Sequence, residues 1–172
     1  MRIAIIAVLV LGALIVLVLV IGWSLPVRHQ ASRRATFAAS PELVYDAITG
    51  VDDFPKWRSK VKSVEEAPPI NGKRAFRERD AHGAILYVVE EATPAHRLVT
   101  RIADKTLPFG GTWTYELSPN GPHTTLRITE DGEVYNPLFR FMSRFVFGHT
   151  ATLDTYLADL GRKLGVAVEI TS

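Results

Sequence analysis

Residues 3–21 carry no charged or strongly polar side chain, only Ile, Ala, Val, Leu and one Gly. At about 1.5 Å per residue that run matches a hydrocarbon core of roughly 30 Å. Its uniform apolarity leaves no polar face with which to sit on a protein surface. Trp23 follows where an interfacial aromatic would lie, and Arg2 and Arg28 bracket the run. A cleavable leader is the rival reading, but its apolar stretch is normally about 7 to 15 residues and ends in a small-x-small site. Residues 24–31 offer no clean site of that kind. The expectation is one transmembrane helix over residues 1–25, a juxtamembrane linker over 26–32, a single domain over 33–165 and a tail over 166–172. Arg28, Arg33 and Arg34 stand near the membrane, where each is worth about 1 kcal/mol against an anionic surface, or they are simply solvated.

Beyond the linker the hydrophobic period changes three times. Residues 33–39 alternate as a strand. Ser40-Pro41-Glu42 then supplies an N-cap, a proline at N1 and a carboxylate in the first turn. The helix predicted over 41–49 buries Leu43, Val44, Ala47 and Ile48, and Gly50 ends it. One more helical turn covers 51–54, before Pro55 and Trp57. From 58 to 135 the period is two, which predicts an antiparallel meander with strands at 60–66, 73–79, 85–93, 97–103, 112–118 and 124–132. The breaks hold turn residues, among them Asn71-Gly72, His82-Gly83, Pro94, Gly110-Gly111 and Asn120-Gly121. In the strand at 112–118, Trp113, Tyr115 and Leu117 face one side while Thr112, Thr114 and Glu116 face the other, as in a sheet covered on one face. A long helix is predicted from 137 to 164, with the stripe Leu138, Met142, Phe145, His149, Leu153, Tyr156, Leu160 and Leu164 and a stop at Gly165. That helix is the expected cover of the sheet, and the fold class is α+β.

Charge and composition narrow the partners. The chain has 20 Lys and Arg against 18 Asp and Glu. Setting Arg2 aside leaves a near-balanced domain without a concentrated basic face, so nucleic acid is excluded as a partner. With no cysteine there is no disulfide framework, thiolate metal site or thiol nucleophile. The five histidines lack ligand spacing, and no His-Glu-x-x-His, Gly-x-Ser-x-Gly or phosphate-cradling glycine loop occurs. No metal and no nucleotide or other cofactor is expected.

The stretch Ser40-Pro41-Glu42-Leu43-Val44-Tyr45-Asp46-Ala47-Ile48, with Asp53-Phe54-Pro55-Lys56-Trp57 after it, resembles the polyketide cyclase/dehydrase and lipid-transport family of the START-like (SRPBCC) superfamily. Ala92-Thr93-Pro94-Ala95-His96-Arg97-Leu98 and Gly111-Thr112-Trp113-Thr114-Tyr115-Glu116-Leu117 are similar to its mid-sheet strands. The resemblance implies a helix-grip fold, an antiparallel sheet wrapped around a long C-terminal helix, with a deep and mostly apolar cavity between them. The family includes lipid carriers, hormone receptors, quinone-binding proteins and cyclases, so the fold by itself names no ligand.

Candidate lining residues for such a cavity are Trp57, Phe76, Tyr87, Trp113, Tyr115, Met142, Phe145 and His149, with ordinary core packing as the alternative for each. His149 is either a hydrogen-bonding or basic group toward a ligand, or a core histidine satisfied by the sheet. Glu78 and Asp80 share strand phase with Phe76. They are weak catalytic candidates as desolvated carboxyls, or a solvated strand end. Phe139 and Phe147, with Arg140 and Arg144, either rest on the bilayer or pack on Pro108 and Phe109.

The favoured reading is a membrane-anchored binder, or carrier, of a hydrophobic ligand such as a lipid or quinone. The alternatives are a cyclase/dehydratase acting on a polyketide-like substrate, and a tethered interaction module filled by its own side chains. The slight basic excess on the domain side leans toward a cytoplasmic domain at the cell (inner) membrane.

Overall fold

The structure, a computed structural model, describes residues 1–166 and 168–171, and the side chain of Phe147 also lies outside the description. The expectation for that phenyl ring, and the ends of the tail, therefore fall outside the described residues. α1 spans Arg2–Ser24. It is long and apolar enough to cross a membrane, with a mean hydropathy of 3.5, and Gly22 is its one buried residue.

β1 is Arg28–Phe37, five residues longer at its start than predicted. The connector after α1 thus shrinks from 26–32 to residues 25–27. Arg28–Arg34 looked like linker because polar and basic side chains interrupt the alternation, but ladder pairing with the last long strand holds them extended. α2, Pro41–Thr49, starts as predicted, with the Ser40 hydroxyl accepting from the Leu43 N–H and Pro41 in the first turn. Val44 and Ile48 are buried, whereas Leu43, expected inside, is exposed. A 3-10 turn, Val51–Asp53, leads into α3, Phe54–Trp57.

The meander follows as β2 (Ser63–Ile70), β3 (Lys73–Arg79), β4 (Ala84–Thr93), β5 (Arg97–Ile102), β6 (Phe109–Asn120) and β7 (His123–Val134). A short β8, Ile170–Thr171, was not foreseen. The order across the sheet is β2-β3-β4-β5-β6-β7-β1-β8, and each neighbouring pair is antiparallel. Asn71 and Gly72 both take positive φ, 52° and 77°, as the tight β2–β3 hairpin requires. β2 runs on through Pro68 and Pro69 because the register shifts between Ala67 and Ile70, which accommodates prolines at the sheet's edge.

The long C-terminal helix is the main correction. It is broken into α4 (Pro137–Met142), a π-turn (Ser143–Phe147) and α5 (Ala151–Leu164). Gly148 lies between them at φ 71°, a conformation open to glycine and unfavourable for other residues. The three-and-four spacing ran through this glycine without registering it. Of the two helical pieces only α5 covers the sheet, burying Leu153, Tyr156, Leu157 and Leu160 in one core with Ala35, Phe37, Leu117, Leu126 and Ile128. Two polar ties fix its position. Asp159 accepts from the Ser59 N–H at 2.7 Å and hydroxyl at 2.8 Å, and Arg33 Nε on β1 reaches Asp154 at 2.8 Å. α4 turns back onto α1. Gly22 lies so close to Pro137 that an added Cβ would fall 2.0 Å from its carbonyl oxygen.

Candidate functional site

Inward residues of β3 to β6, together with α2, the 51–53 turn and the start of α5, enclose a cavity of about 360 Å³, within the size range of small-molecule sites. Its wall is mainly aromatic and aliphatic. Phe76 stacks on Tyr87 at 5.3 Å between centroids, and Phe54 meets Phe76 edge-on at 6.3 Å. Trp113 and Tyr115 close the β6 side, each against Tyr156 of α5, at 5.9 and 5.6 Å. Strand alternation brings Phe76, Tyr87, Trp113 and Tyr115, four of the candidate lining residues, to this wall.

Glu78 and Asp80 also line it, with different occupations. Glu78 is ion-paired with Arg58, and both side chains are largely buried. The guanidinium lies 4.8 Å from the centre of the Phe54 ring and 5.0 Å from that of Tyr156, within cation–π range. Asp80 accepts the N–H groups of His82 (2.6 Å) and Gly83 (2.9 Å), closing the β3–β4 turn. Burial pushes the phenols of Tyr87, Tyr115 and Tyr156 above the ordinary tyrosine range, so they present neutral hydroxyls. The Tyr156 hydroxyl is buried, with Tyr115 as its polar neighbour.

A second cavity, about 500 Å³, adjoins the first and shares Ile85, Tyr87, Trp113 and Thr152 with it. It runs toward the break after α4, past Phe109, Phe139, Gly148 and His149. Glu130 lies in its wall. Burial raises this carboxyl to about 7, with the Trp113 indole acting in the opposite direction. His29 Nε2 is 3.5 Å from Glu130 Oε1, and the His29 ring stacks on that of His149 at 4.0 Å. The His149 Nδ1 is 3.0 Å from the Ser143 hydroxyl. Both imidazoles are held below the usual histidine value, first by burial, then by His149 for His29 and by Arg144 for His149.

Three expected lining residues are elsewhere. Trp57 packs in the core against Phe54 and Tyr156. Met142 and Phe145 belong to α4 and the π-turn and line neither cavity, and Phe145 is exposed. The helix break moves them away from the sheet. His149 does reach the cavity region, from the connector rather than from a helix face. Arg58, Glu130 and His29 were missed. Glu130 stands in period-two phase with Leu126 and Ile128, a signal that its charge obscured, and His29 was assigned to linker. Among the described residues no group of three or more His, Asp or Glu side chains is arranged to hold a metal.

The family profile for polyketide cyclase/dehydrase and lipid transport matches residues 28–163. No curated protein matches the chain. Among solved structures, a START superfamily protein from Mycobacterium smegmatis aligns with a TM-score of 0.64 and 19% identity, over 80% of this chain and 97% of its own. The Zhui aromatase/cyclase from Streptomyces sp. R1128 gives 0.63 and 15%, over 80% and 92%. Norcoclaurine synthase from Thalictrum flavum gives 0.63 and 10%, over 80% and 94%. At these identities the likeness establishes the α+β helix-grip fold.

Proposed function

Because the chain belongs to the polyketide cyclase/dehydrase and lipid transport family, we propose that its domain binds, and between encounters carries, a hydrophobic molecule such as a lipid or quinone while α1 tethers it in a membrane. The observation that carries this reading is the aromatic-lined cavity of about 360 Å³ behind a helix apolar enough to span. An apolar ligand leaves the bilayer at a cost proportional to its exposed area, and a tether shortens the path over which that cost applies. The cavity weighs against a module filled by its own side chains. The chain divides into an anchor and one ligand-binding domain, with the basic excess at Arg28, Arg33 and Arg34 favouring a cytoplasmic domain at the inner membrane.

The test is native mass spectrometry of the full chain in mild detergent, followed by solvent extraction of bound species. A stoichiometric apolar ligand is expected, reduced more than tenfold in Val89→Trp, which fills the cavity from β4. An empty wild-type cavity would overturn the binding reading.

One observation favours a second reading, an enzyme of the cyclase/dehydratase type. Glu130, poised near 7 at the wall shared through Trp113, has the properties of a base for an enolisable carbon. His149 lies near it through His29, whereas Glu78 is occupied by Arg58 and Asp80 by its turn.

A further inference from the structure

A third cavity, about 200 Å³, adjoins the second and shares His29, Val134, Ser143 and His149 with it, where the chain leaves α1 and passes under α4. Its polar wall is Arg140, Arg144, Ser143, His29 and His149; the rest is the apolar connector and Val134, and no carboxylate lines it. Arg140 is buried. One of its terminal nitrogens, Nη1, donates to the carbonyl oxygens of Leu25 at 2.7 Å and Trp23 at 3.4 Å, while its Nε–H is buried with no partner. Neither Arg140 nor Arg144 forms an ion pair among the described residues.

A guanidinium keeps its charge at any physiological pH, and a buried charge is normally paired. Here two guanidiniums, a hydroxyl and two imidazoles converge without a counter-charge. Of the carboxyls in the adjoining cavity, Glu133 is paired with Arg28, and Glu130 lies across His29 and is drawn toward its neutral form by burial. An oxyanion with several acceptor oxygens would neutralise the arginines and accept from their remaining N–H groups and from either Ser143 or His149, which share one hydrogen bond. Arginine suits phosphate through charge-assisted, paired N–H bonds. The position fits as well. Trp23 and Gly22 end the apolar span, and α4 is docked on that end through Gly22 and Arg140, so with α1 in a bilayer the pocket lies at headgroup depth.

We propose that this pocket binds a phosphate oxyanion, either the headgroup phosphate of a membrane phospholipid or free phosphate. The proposal does not depend on what the main cavity holds; only its lipid arm rests on α1 spanning a bilayer.

The experiment uses the full chain in detergent, titrated separately with phosphatidylglycerol, with diacylglycerol of the same tails, and with inorganic phosphate, and read by native mass spectrometry. Phosphatidylglycerol retained at least tenfold over diacylglycerol, and reduced tenfold in Arg140→Gln and in Arg144→Gln, supports the site and assigns a lipid source. Binding of inorganic phosphate at millimolar concentration, lost in the same variants, with no preference for the phospholipid, supports the site and assigns a soluble source. Equal retention of the two lipids with no phosphate bound overturns the proposal. So does selectivity that Arg144→Gln leaves unchanged, and because Arg144 is exposed this variant carries the test even where Arg140→Gln loosens α4. The main-cavity ligand is scored separately by solvent extraction, so the two readings fail independently.

Discussion

Replacing Glu78 by Gln removes the counter-charge of an arginine that cannot lose its own. Arg58 and Glu78 side chains are 17% and 11% exposed, so the guanidinium left behind in Glu78→Gln is mostly desolvated. Breaking one partner of a buried pair costs about 3 to 5 kcal/mol. The residual exposure and the faces of Phe54 and Tyr156 at 4.8 and 5.0 Å place the expected cost near the lower end, about 3 kcal/mol. At roughly 3 °C per kcal/mol for a domain of this size, Tm falls by about 9 °C. The double variant Arg58→Met/Glu78→Leu removes both charges and keeps the volume apolar, so it is expected within about 2 kcal/mol of wild type. Thermal unfolding of the full chain in detergent, followed by near-UV circular dichroism of the buried aromatics, compares Glu78→Gln with the cycle formed by wild type, Arg58→Met, Glu78→Leu and the double variant. A drop below 3 °C for Glu78→Gln, or a double variant as costly as the sum of the singles, would refute the reasoning.

Glu130 has a folded value near 7 against an ordinary 4.5, so between those pH values the folded state holds more protons than the unfolded chain. Stability therefore declines as pH rises through that window, by up to about 3 kcal/mol, and Glu130→Gln is expected to remove this part of the pH profile; identical profiles would contradict the desolvation argument. Gly132→Ala places a Cβ 2.3 Å from the His29 ring, so the imidazole swings away at a cost of about 1 kcal/mol, and unchanged His29 and His149 NMR resonances would show that no crowding exists. Gly22→Leu meets a backbone oxygen that cannot yield, which separates α4 from α1. Trypsin cleavage at Arg140 and Arg144 is expected to rise several-fold while the sheet's Tm stays within about 3 °C, and unaltered cleavage would count against the docking.

Local rules account for much of what the sequence determined. Nineteen uninterrupted apolar positions, residues 3–21, form a helix long and apolar enough to cross a membrane. Ser40-Pro41-Glu42 starts α2 because its groups satisfy helix N–H donors within one turn. Period-two alternation places Phe76, Tyr87, Trp113 and Tyr115 on one face whatever the strand's partners are, and with the family motifs that was enough for the fold and one cavity wall. Tertiary structure decided what depends on residues far apart in the chain. Arg58, just past the end of α3, reaches across to Glu78 of β3, and pairing with β7 turns 28–32 from linker into strand and brings His29 to Glu130. Gly148 breaks a stripe whose spacing alone predicts an unbroken helix, because spacing reports which residues prefer burial and carries no account of a backbone at φ 71°. Arg140 reads as an exposed charge on a helix until α4 folds against the end of α1. Its burial, and the pocket around it, exist only through that contact.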